Sequence, residues 1–531
     1  VLGAILFCGA VATTIGAIFV YKTKVDNNAA PILTGLQTTA GLYVTVTAKR
    51  TSLQFNGIST AEAYIYPRGG PSSSADGALA FDAMVIQRSP DVVITYTLLN
   101  DRAYRSKADA SSGAVTLVEC LHASQVPPVH LVASSLTDSS VVDQVQGAPF
   151  KSCADGKLLS LTFAGEAFVF CNSADNKLQH AASDDLDVVF QYLSDPTAMP
   201  ELVAPGDADC PVVVAPSPIA PPSTTSYVQT ASAIYRAATG PTRAATINKS
   251  SCGCASVKKP CLFVHGIGVK DAGPMTDSSD YFGSIHEHAP CCSSTKFVKF
   301  DTVTQGWTDP SLQTAFCKAA LSVSKSTSKT TVGPLILVTH SMGNLIAGGA
   351  VASGLCDFSA DVSWMSLAGP MEGSKTTNAL EEKCGQSGVI DGTFANILGW
   401  SGFCPSPRAY VQLKHETTVG SDMQAKYERA INVRATHGAH LLCGTSPYGL
   451  TTTMSVPLQI LGSISHHDNP THDSVVDIDS CMAGYGSYGF GSDTSNFHYL
   501  ASINHLDATF RNGDGWWGSD RKAQKWFECA L

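Results

Sequence analysis

One stretch constrains the fold of this chain more than any other, and it runs from Leu335 to Gly349 with the sequence LILVTHSMGNLIAGG. Apolar residues typical of a buried strand precede Thr339, and small or apolar residues at helical spacing follow Gly343. The pattern predicts a strand, a sharp turn and a helix, with Ser341 at the turn. Such a turn holds a serine hydroxyl beside the free N–H groups of a helix N-terminus, which suits a nucleophile.

The residues at this turn resemble those of the serine lipases and esterases of the α/β-hydrolase family, whose turn commonly reads G-H-S-M-G. Thr339 stands where the first glycine is usual, so strand and helix are expected to pack slightly further apart. The resemblance implies that Ser341 attacks an acyl carbonyl. A serine that merely lies in a tight turn remains the alternative for so short a pattern. Ser446, within residues 444–449, lacks a preceding buried strand, so we do not expect it to be the nucleophile.

A second stretch carries the same resemblance. Residues 260–264 read as a buried strand, and His265 and Gly266 follow it. In the lipases that this chain resembles, the loop after that strand supplies one oxyanion N–H, and the residue after the nucleophile supplies the other. The resemblance therefore implies that the backbone amides of Ile267 and Met342 bind the oxyanion.

A nucleophilic serine needs a base and a carboxylate that orients the base, and in this family they follow in the order Ser, Asp, His. Residues 457–464 are predicted to form a further strand. After it, Asp473 begins a segment that resembles the D-G-x-V loop of many lipases, with Ser474 in place of glycine. We predict Asp473 as the acid. Asp477 and Asp479 are close enough in sequence to compete.

The predicted base is His505, because the segment Asn504 to Asp507 resembles the N-H-L-D segment around the triad histidine of lipase-like hydrolases. Its place near the C-terminus also fits the chain order. His498 is the rival. No metal or organic cofactor is implied, because backbone amides hold the oxyanion.

The chain has seventeen cysteines, too many for an ordinary cytosolic enzyme. Cys8 lies in an apolar leader, and the sixteen that remain predict eight disulfides in an oxidising compartment. The alternative is metal binding, although the candidates lack the paired C-x-x-C spacing of structural zinc sites. These candidates are Cys252, Cys254, Cys261, Cys291 and Cys292. The pairing cannot be read from the sequence.

The leader, residues 1–21, carries no charge and is followed by Lys22 and Lys24. It is just long enough to cross a bilayer core of about 30 Å. We predict a signal-anchor, with a cleaved signal peptide as the alternative, because residues 10–12 match a small-x-small cleavage site. Either reading predicts entry into the secretory pathway and an extracellular or cell-surface protein, membrane-anchored or secreted.

Composition then divides the chain. Residues 28–209 are predicted to form a β-rich domain, because segments such as 42–47, 92–98 and 159–163 have strand signatures. Residues 211–250 form a Pro/Ser/Thr-rich linker, which contains an N-x-S sequon at Asn248 that predicts a glycoprotein.

Residues 251–531 alternate strands with helical stretches, which predicts an α/β-hydrolase domain with a mainly parallel sheet. The fold class predicted for the chain is therefore α/β, preceded by the β-rich domain and the apolar segment. Residues 371–455 are predicted to be a lid-like insertion, or a small disulfide-bonded subdomain. Its apolar residues are Phe394, Ile397, Leu398, Trp400 and Phe403.

The formal charge is −10 and no basic run occurs, so nucleic acid is an unfavoured partner. The predicted function is hydrolysis of carboxylic esters, chiefly lipid acyl esters, by Ser341, His505 and Asp473. Two alternatives remain open. One is an acyltransferase with the same triad, and the other is a non-catalytic adhesion or assembly protein that keeps the fold.

Overall fold

The computed structural model describes residues 29–55, 57–68, 80–213, 244–387 and 404–531. Three predicted features lie wholly or mostly outside these residues: the leader 1–21, the linker 211–250 and the apolar residues named above between 394 and 403. The chain divides into two compact units, Val1–Ser250 and Ser251–Leu531.

The elements of the first unit are mostly strands of eight residues or fewer. They are α1 (residues 29–38), β1 (Gly41–Ala48), β2 (Thr60–Pro67), β3 (Phe81–Arg88), β4 (Val92–Leu99), β5 (Arg102–Asp109), β6 (Val115–Cys120), α2 (Val132–Thr137), β7 (Ser140–Val142), β8 (Gln144–Gly147), β9 (Gly156–Phe163), β10 (Glu166–Ser173), β11 (Leu178–Ala182), β12 (Leu186–Leu193) and β13 (Ala244–Ile247).

Eleven of these strands, within the described residues, form one sheet in the order β6-β5-β4-β3-β2-β1-β12-β11-β10-β9-β7. Every neighbouring pair is antiparallel. Short connections join strands that are adjacent along the chain, and such connections favour antiparallel pairing. The strands predicted at 42–47, 92–98 and 159–163 are confirmed as parts of β1, β4 and β9.

The predicted fold class, α/β with a mainly parallel sheet, is wrong for this chain. The largest sheet of the described residues is the eleven-stranded antiparallel one. The prediction rested on the alternation of strands and helices after residue 251, whereas the hairpin-connected strands between residues 41 and 193 build the larger sheet.

The second unit contains longer helices between its strands. Its elements are β14 (Lys259–Val264), β15 (Gly273–Thr276), β16 (Cys292–Lys299), α3 (Pro310–Val323), β17 (Thr331–Val332), β18 (Leu335–His340), α4 (Met342–Ala352), β19 (Asp357–Phe358), β20 (Val362–Leu367), α5 (Lys375–Ser387), α6 (Arg408–Val411), α7 (Ser421–Thr436), β21 (His440–Gly444), α8 (Ser455–Ile464), α9 (Ile478–Met482), β22 (Phe490–Gly491), β23 (His498–Ala501) and α10 (Ala523–Cys529).

The main sheet of this unit has the order β15-β16-β14-β18-β20-β21-β23-β22. The edge pair β15 and β16 is antiparallel, and the other neighbours are parallel. Both faces of β18 are covered, since Leu335 and Leu337 lie in one apolar cluster and Ile336 and Val338 in another. Burial on two faces explains why this strand reads as a continuous apolar run.

Two local predictions for this unit are wrong. Residues 457–464, predicted as a strand, belong to helix α8, because the buried residues Leu458 and Leu461 recur at helical spacing. Residues 371–455 do not form one lid-like insertion, since they include α7 and strand β21 of the main sheet. Strand β21 is largely buried and ends two residues before Ser446, whereas the sequence predicted no buried strand before this serine. A strand as short as β21, preceded by a polar helix, is hard to tell from an insertion by sequence.

All sixteen cysteines of the described residues are paired, as the even count predicted. The pairs are Cys120–Cys210, Cys153–Cys171, Cys252–Cys529, Cys254–Cys291, Cys261–Cys292, Cys317–Cys356, Cys384–Cys404 and Cys443–Cys481. The five cysteines considered as metal ligands are therefore disulfide-bonded. Eight disulfides are typical of proteins that mature in an oxidising, extracytoplasmic compartment. Among the described residues, no helix has the length and apolar character needed to cross a membrane.

Candidate active site

The sharp turn predicted at Ser341 joins β18 to α4. Ser341 has φ 53° and ψ −130°, a conformation that residues other than glycine rarely adopt. The backbone N–H of Ser341 donates to the carbonyl of Leu367 on the neighbouring strand, at 2.9 Å. Packing against the sheet thus holds a strained backbone, a feature that recurs where a side chain is presented for function.

Two glycines let the chain approach Ser341 closely. A Cβ added at Gly343 would lie 2.8 Å from the carbonyl oxygen of Val264, so any larger residue would push α4 away from β14. A Cβ at Gly266 would lie 2.5 Å from the Cβ of Ser341. The loop after β14 and the serine therefore touch, and this contact depends on glycine at both positions.

Thr339, two residues before Ser341, has a specific role in this turn. Its hydroxyl accepts the indole N–H of Trp364 at 2.7 Å and donates to Oδ1 of Asn344 at 2.5 Å. The Asn344 amide in turn donates to the carbonyls of Ser341, at 3.0 Å, and of Leu367, at 3.2 Å. The threonine thus anchors a buried hydrogen-bond network that holds the turn.

Loss of the Thr339 hydroxyl from this network is expected to lower the free energy of unfolding. Thr339→Val keeps the side-chain shape but leaves the Trp364 N–H and the Asn344 oxygen without their partner, at about 1–3 kcal/mol for each unsatisfied group. We expect the free energy of unfolding of the second unit to fall by about 2–4 kcal/mol. All six tryptophans follow residue 251, so urea unfolding followed by tryptophan fluorescence reports this unit.

The control is Thr377→Val, which removes one buried hydroxyl that donates only to the carbonyl of Ser374, at 2.8 Å. We expect a loss of about 1 kcal/mol there. Equal losses in the two variants would contradict the role assigned to Thr339.

The structure brings the three predicted catalytic side chains together. His505 Nε2 lies 2.9 Å from Ser341 Oγ, and His505 Nδ1 lies 2.8 Å from Asp473 Oδ2. A carboxylate only accepts hydrogen bonds, so Nδ1 carries the proton and Nε2 can accept from the serine hydroxyl. All three residues are buried, with 1% of Ser341, 5% of His505 and 1% of Asp473 exposed. This arrangement can remove a proton from Ser341 as the hydroxyl attacks.

The Asp473 loop is shaped so that one carboxylate oxygen faces the histidine. Oδ1 accepts the backbone N–H groups of Val475, at 3.0 Å, and Val476, at 2.7 Å, which leaves Oδ2 for His505. Ser474 has φ 87°, in the region that favours glycine. The strained conformation of Ser474 is part of the turn that lets Oδ1 of Asp473 accept both N–H groups.

Residues that flank His505 hold its loop. Asn504 Oδ1 accepts the N–H groups of Leu506 and Asp507, both at 3.0 Å. Asp507 accepts the N–H of Leu450 at 2.7 Å, and burial raises its pKa to about 6. The backbone N–H of His505 donates to the carbonyl of Asp473 at 2.9 Å, which joins the two loops directly.

The competing candidates are engaged elsewhere. Asp477 Oδ2 lies 3.1 Å from His467 Nδ1, and Asp477 Oδ1 accepts the backbone N–H of Asn469 at 3.4 Å. Asp479 accepts from Asn469 at 3.0 Å. His498 Nδ1 accepts the backbone N–H of Leu441 at 3.2 Å. None of these contacts involves Ser341.

The two predicted oxyanion donors belong to Met342, which follows Ser341 in the chain, and to Ile267, which follows Gly266 on the loop that touches Ser341. Met342 is the first residue of α4, where a backbone N–H has no acceptor within the helix. Ile267 N–H belongs to the same planar peptide as the carbonyl of Gly266, which accepts from His265 Nδ1 at 2.9 Å and Thr302 Oγ1 at 2.8 Å. In a trans peptide the N–H and C=O point in opposite directions, so these two donors fix the direction of the Ile267 N–H.

His265 is suited to this role because it is neutral. Burial lowers its pKa to about 4. Its Nε2 accepts the backbone N–H of Phe300 at 3.0 Å, which leaves Nδ1 as the donor.

Asn248, the predicted glycosylation site, is exposed at the end of β13, and its amide donates to Asp184 at 3.2 Å.

The sequence did not identify Tyr281 or Thr302, and it assigned no role to His340 beyond its place in the motif. Tyr281 lies in a short turn, Asp280–Phe282, sixty residues before the serine. No local pattern marks a tyrosine or threonine whose hydroxyl will meet a distant loop.

Comparisons with known proteins do not identify a family for this chain. No family model matches the sequence, and no curated protein matches it. Among solved structures, LprF from Mycobacterium bovis is 10% identical with a TM-score of 0.22, covering 34% of this chain and 98% of its own. The Staphylococcus hyicus lipase is 13% identical with a TM-score of 0.29, covering 52% of this chain and 95% of its own. Similarity at this level does not define a family or a function for this chain.

Proposed function

We propose that this chain is a serine hydrolase that cleaves carboxylic esters. The observation that carries the proposal is the hydrogen-bonded series from Ser341 Oγ through His505 to Asp473, with distances of 2.9 and 2.8 Å. Lipid acyl esters are the substrate class that the resemblance to lipases implies. The backbone conformation of Ser341 at the start of α4 supports the same role.

In the proposed mechanism, Ser341 Oγ attacks the acyl carbonyl while His505 Nε2 takes the hydroxyl proton. The negative charge on the carbonyl oxygen is stabilised by the backbone N–H groups of Ile267 and Met342. Collapse of this intermediate breaks the ester bond, and His505 gives its proton to the leaving alkoxide. Water, activated by the same histidine, then hydrolyses the acyl-enzyme. Asp473 keeps the imidazole in the required tautomer throughout.

We also propose that the protein enters the secretory pathway. Entry into the secretory pathway is consistent with the eight disulfides. We propose that residues 1–21 direct this entry and hold the protein at a membrane, and that the exposed Asn248 carries a glycan.

The test is labelling of the purified, folded protein with a fluorophosphonate probe, which reacts with activated serines. A small probe is suitable because Ser341 is only 1% exposed. We expect one labelled site, lost in Ser341→Ala and in heat-denatured protein, and retained in Ser446→Ala. Absence of labelling in folded protein would favour the non-catalytic alternative. Product analysis with water and added alcohols would then separate a hydrolase from an acyltransferase.

A further inference from the structure

The hydroxyl of Tyr281 lies between two parts of the site that are far apart in sequence. It is 3.0 Å from the backbone N of Gly266, on the loop that touches Ser341, and 2.7 Å from Nδ1 of His340. Nε2 of His340 is in turn 3.0 Å from the backbone carbonyl oxygen of His505. Three hydrogen bonds thus connect the oxyanion loop to the backbone of the base.

The direction of these bonds is determined by their two ends. The N–H of Gly266 can only donate and the carbonyl of His505 can only accept. The Tyr281 hydroxyl therefore accepts from Gly266 and donates to His340 Nδ1, and His340 donates through Nε2. Burial raises the pKa of Tyr281 to about 12, and burial together with the nearby positive charge of Arg511 holds the pKa of His340 well below its ordinary value. Both groups therefore stay neutral, so one proton arrangement persists.

The Tyr281 ring is itself held on several sides. The Arg511 guanidinium lies 4.8 Å from the ring centroid. The rings of Phe282, at 5.0 Å, and His265, at 5.6 Å, pack beside it. A fixed ring gives the hydroxyl one position, which a bridging role requires.

We propose that Tyr281 is a positioning residue that joins the oxyanion loop to the backbone of His505, and so sets the Ile267 N–H and the catalytic imidazole in one fixed relation to Ser341. The inference rests on the proposed hydrolase function. Tyr281→Phe removes the acceptor of the Gly266 N–H and the donor to His340, so His340 is free to take the other tautomer and lose its bond to His505. Because an error of about 1 Å in placement can cost about 100-fold in rate, we expect kcat to fall about 10- to 100-fold with little change in KM.

The matched control is Tyr499→Phe. The Tyr499 hydroxyl also accepts one backbone N–H, from Lys522 at 2.9 Å, and donates to one carbonyl, that of Ser519, at 2.7 Å. Both variants should lower the melting temperature by a similar amount. Only Tyr281→Phe should lower kcat for a short-chain aryl ester, measured well below the melting temperature. Full kcat in Tyr281→Phe, or an equal fall in both variants, would overturn the proposal.

A second measurement does not depend on activity. Hydrogen–deuterium exchange followed by mass spectrometry should show faster exchange in peptides covering residues 262–268 and 503–508 in Tyr281→Phe, and in neither peptide in Tyr499→Phe. Unchanged exchange in residues 503–508 would show that the two loops are not joined and would overturn the proposal. If the parent protein is inactive and unlabelled by fluorophosphonate, the hydrolase function and the catalytic part of this inference both fail, while the exchange data still decide whether Tyr281 joins the loops.

Discussion

Ser341→Ala is expected to abolish nearly all hydrolysis of a short-chain aryl ester, with a loss of about 10⁶-fold in kcat. His505→Ala should cost about as much, because it removes Nε2, which lies 2.9 Å from the serine oxygen and accepts its proton in the proposed mechanism. The double variant should be little worse than either single one, since the two side chains act as a unit.

Steady-state kinetics of the three variants would check this expectation. The matched control is Ser446→Ala, which changes a buried serine whose hydroxyl accepts the backbone N–H of Gly449 at 3.4 Å, and which should keep parental activity. Parental hydrolysis by Ser341→Ala would refute the hydrolase assignment. If the fold-loss in kcat of the double variant equalled the product of the two single losses, the serine and histidine would not act as one unit.

The second large effect is expected from Asp473→Asn. An asparagine can keep its Oδ1 on the N–H groups of Val475 and Val476, so the loop should fold as before. Its NH₂ group would then face His505 Nδ1, which would have to accept instead of donate. The imidazole would take the wrong tautomer, and kcat should fall by up to about 10⁴-fold.

Asp477→Asn and Asp479→Asn are the matched controls, because each removes a nearby carboxylate that contacts other residues. Both should keep activity close to that of the parent. If Asp473→Asn were fully active and one of the controls inactive, the acid would be misassigned while the serine mechanism remained. Circular dichroism would verify that each variant folds.

The sequence predicted local elements well where the pattern was strong. The strand and helix around Ser341 were expected from a continuous apolar run followed by helical spacing, and they are β18 and α4. The prediction was wrong at residues 457–464, where the apolar run is compatible with either a strand or a helix. The structure has helix α8 there. Such runs are ambiguous because burial on several sides removes the periodicity that tells strand from helix.

The fold class was wrong for a different reason. The prediction followed the alternation of strands and helices after residue 251, whereas the larger sheet is the antiparallel one built by the strands between residues 41 and 193. Strands at residues 41 and 193 pair directly, since Gly41 lies opposite Leu193. Nothing within either strand specifies a partner about 150 residues away.

Short motifs that resemble those of lipases, together with their order along the chain, were sufficient to name Ser341, Asp473 and His505 as candidates, and the cysteine count was sufficient to expect eight disulfides. Only the tertiary structure decided that these three side chains meet, which cysteines pair, that Thr339 holds the turn and that Tyr281 links two loops. The difference has a physical cause. Turn chemistry and hydrophobic periodicity act over roughly ten residues, so a short segment contains them. Contacts between distant segments form only when the packed core brings them together, and the core depends on all segments at once.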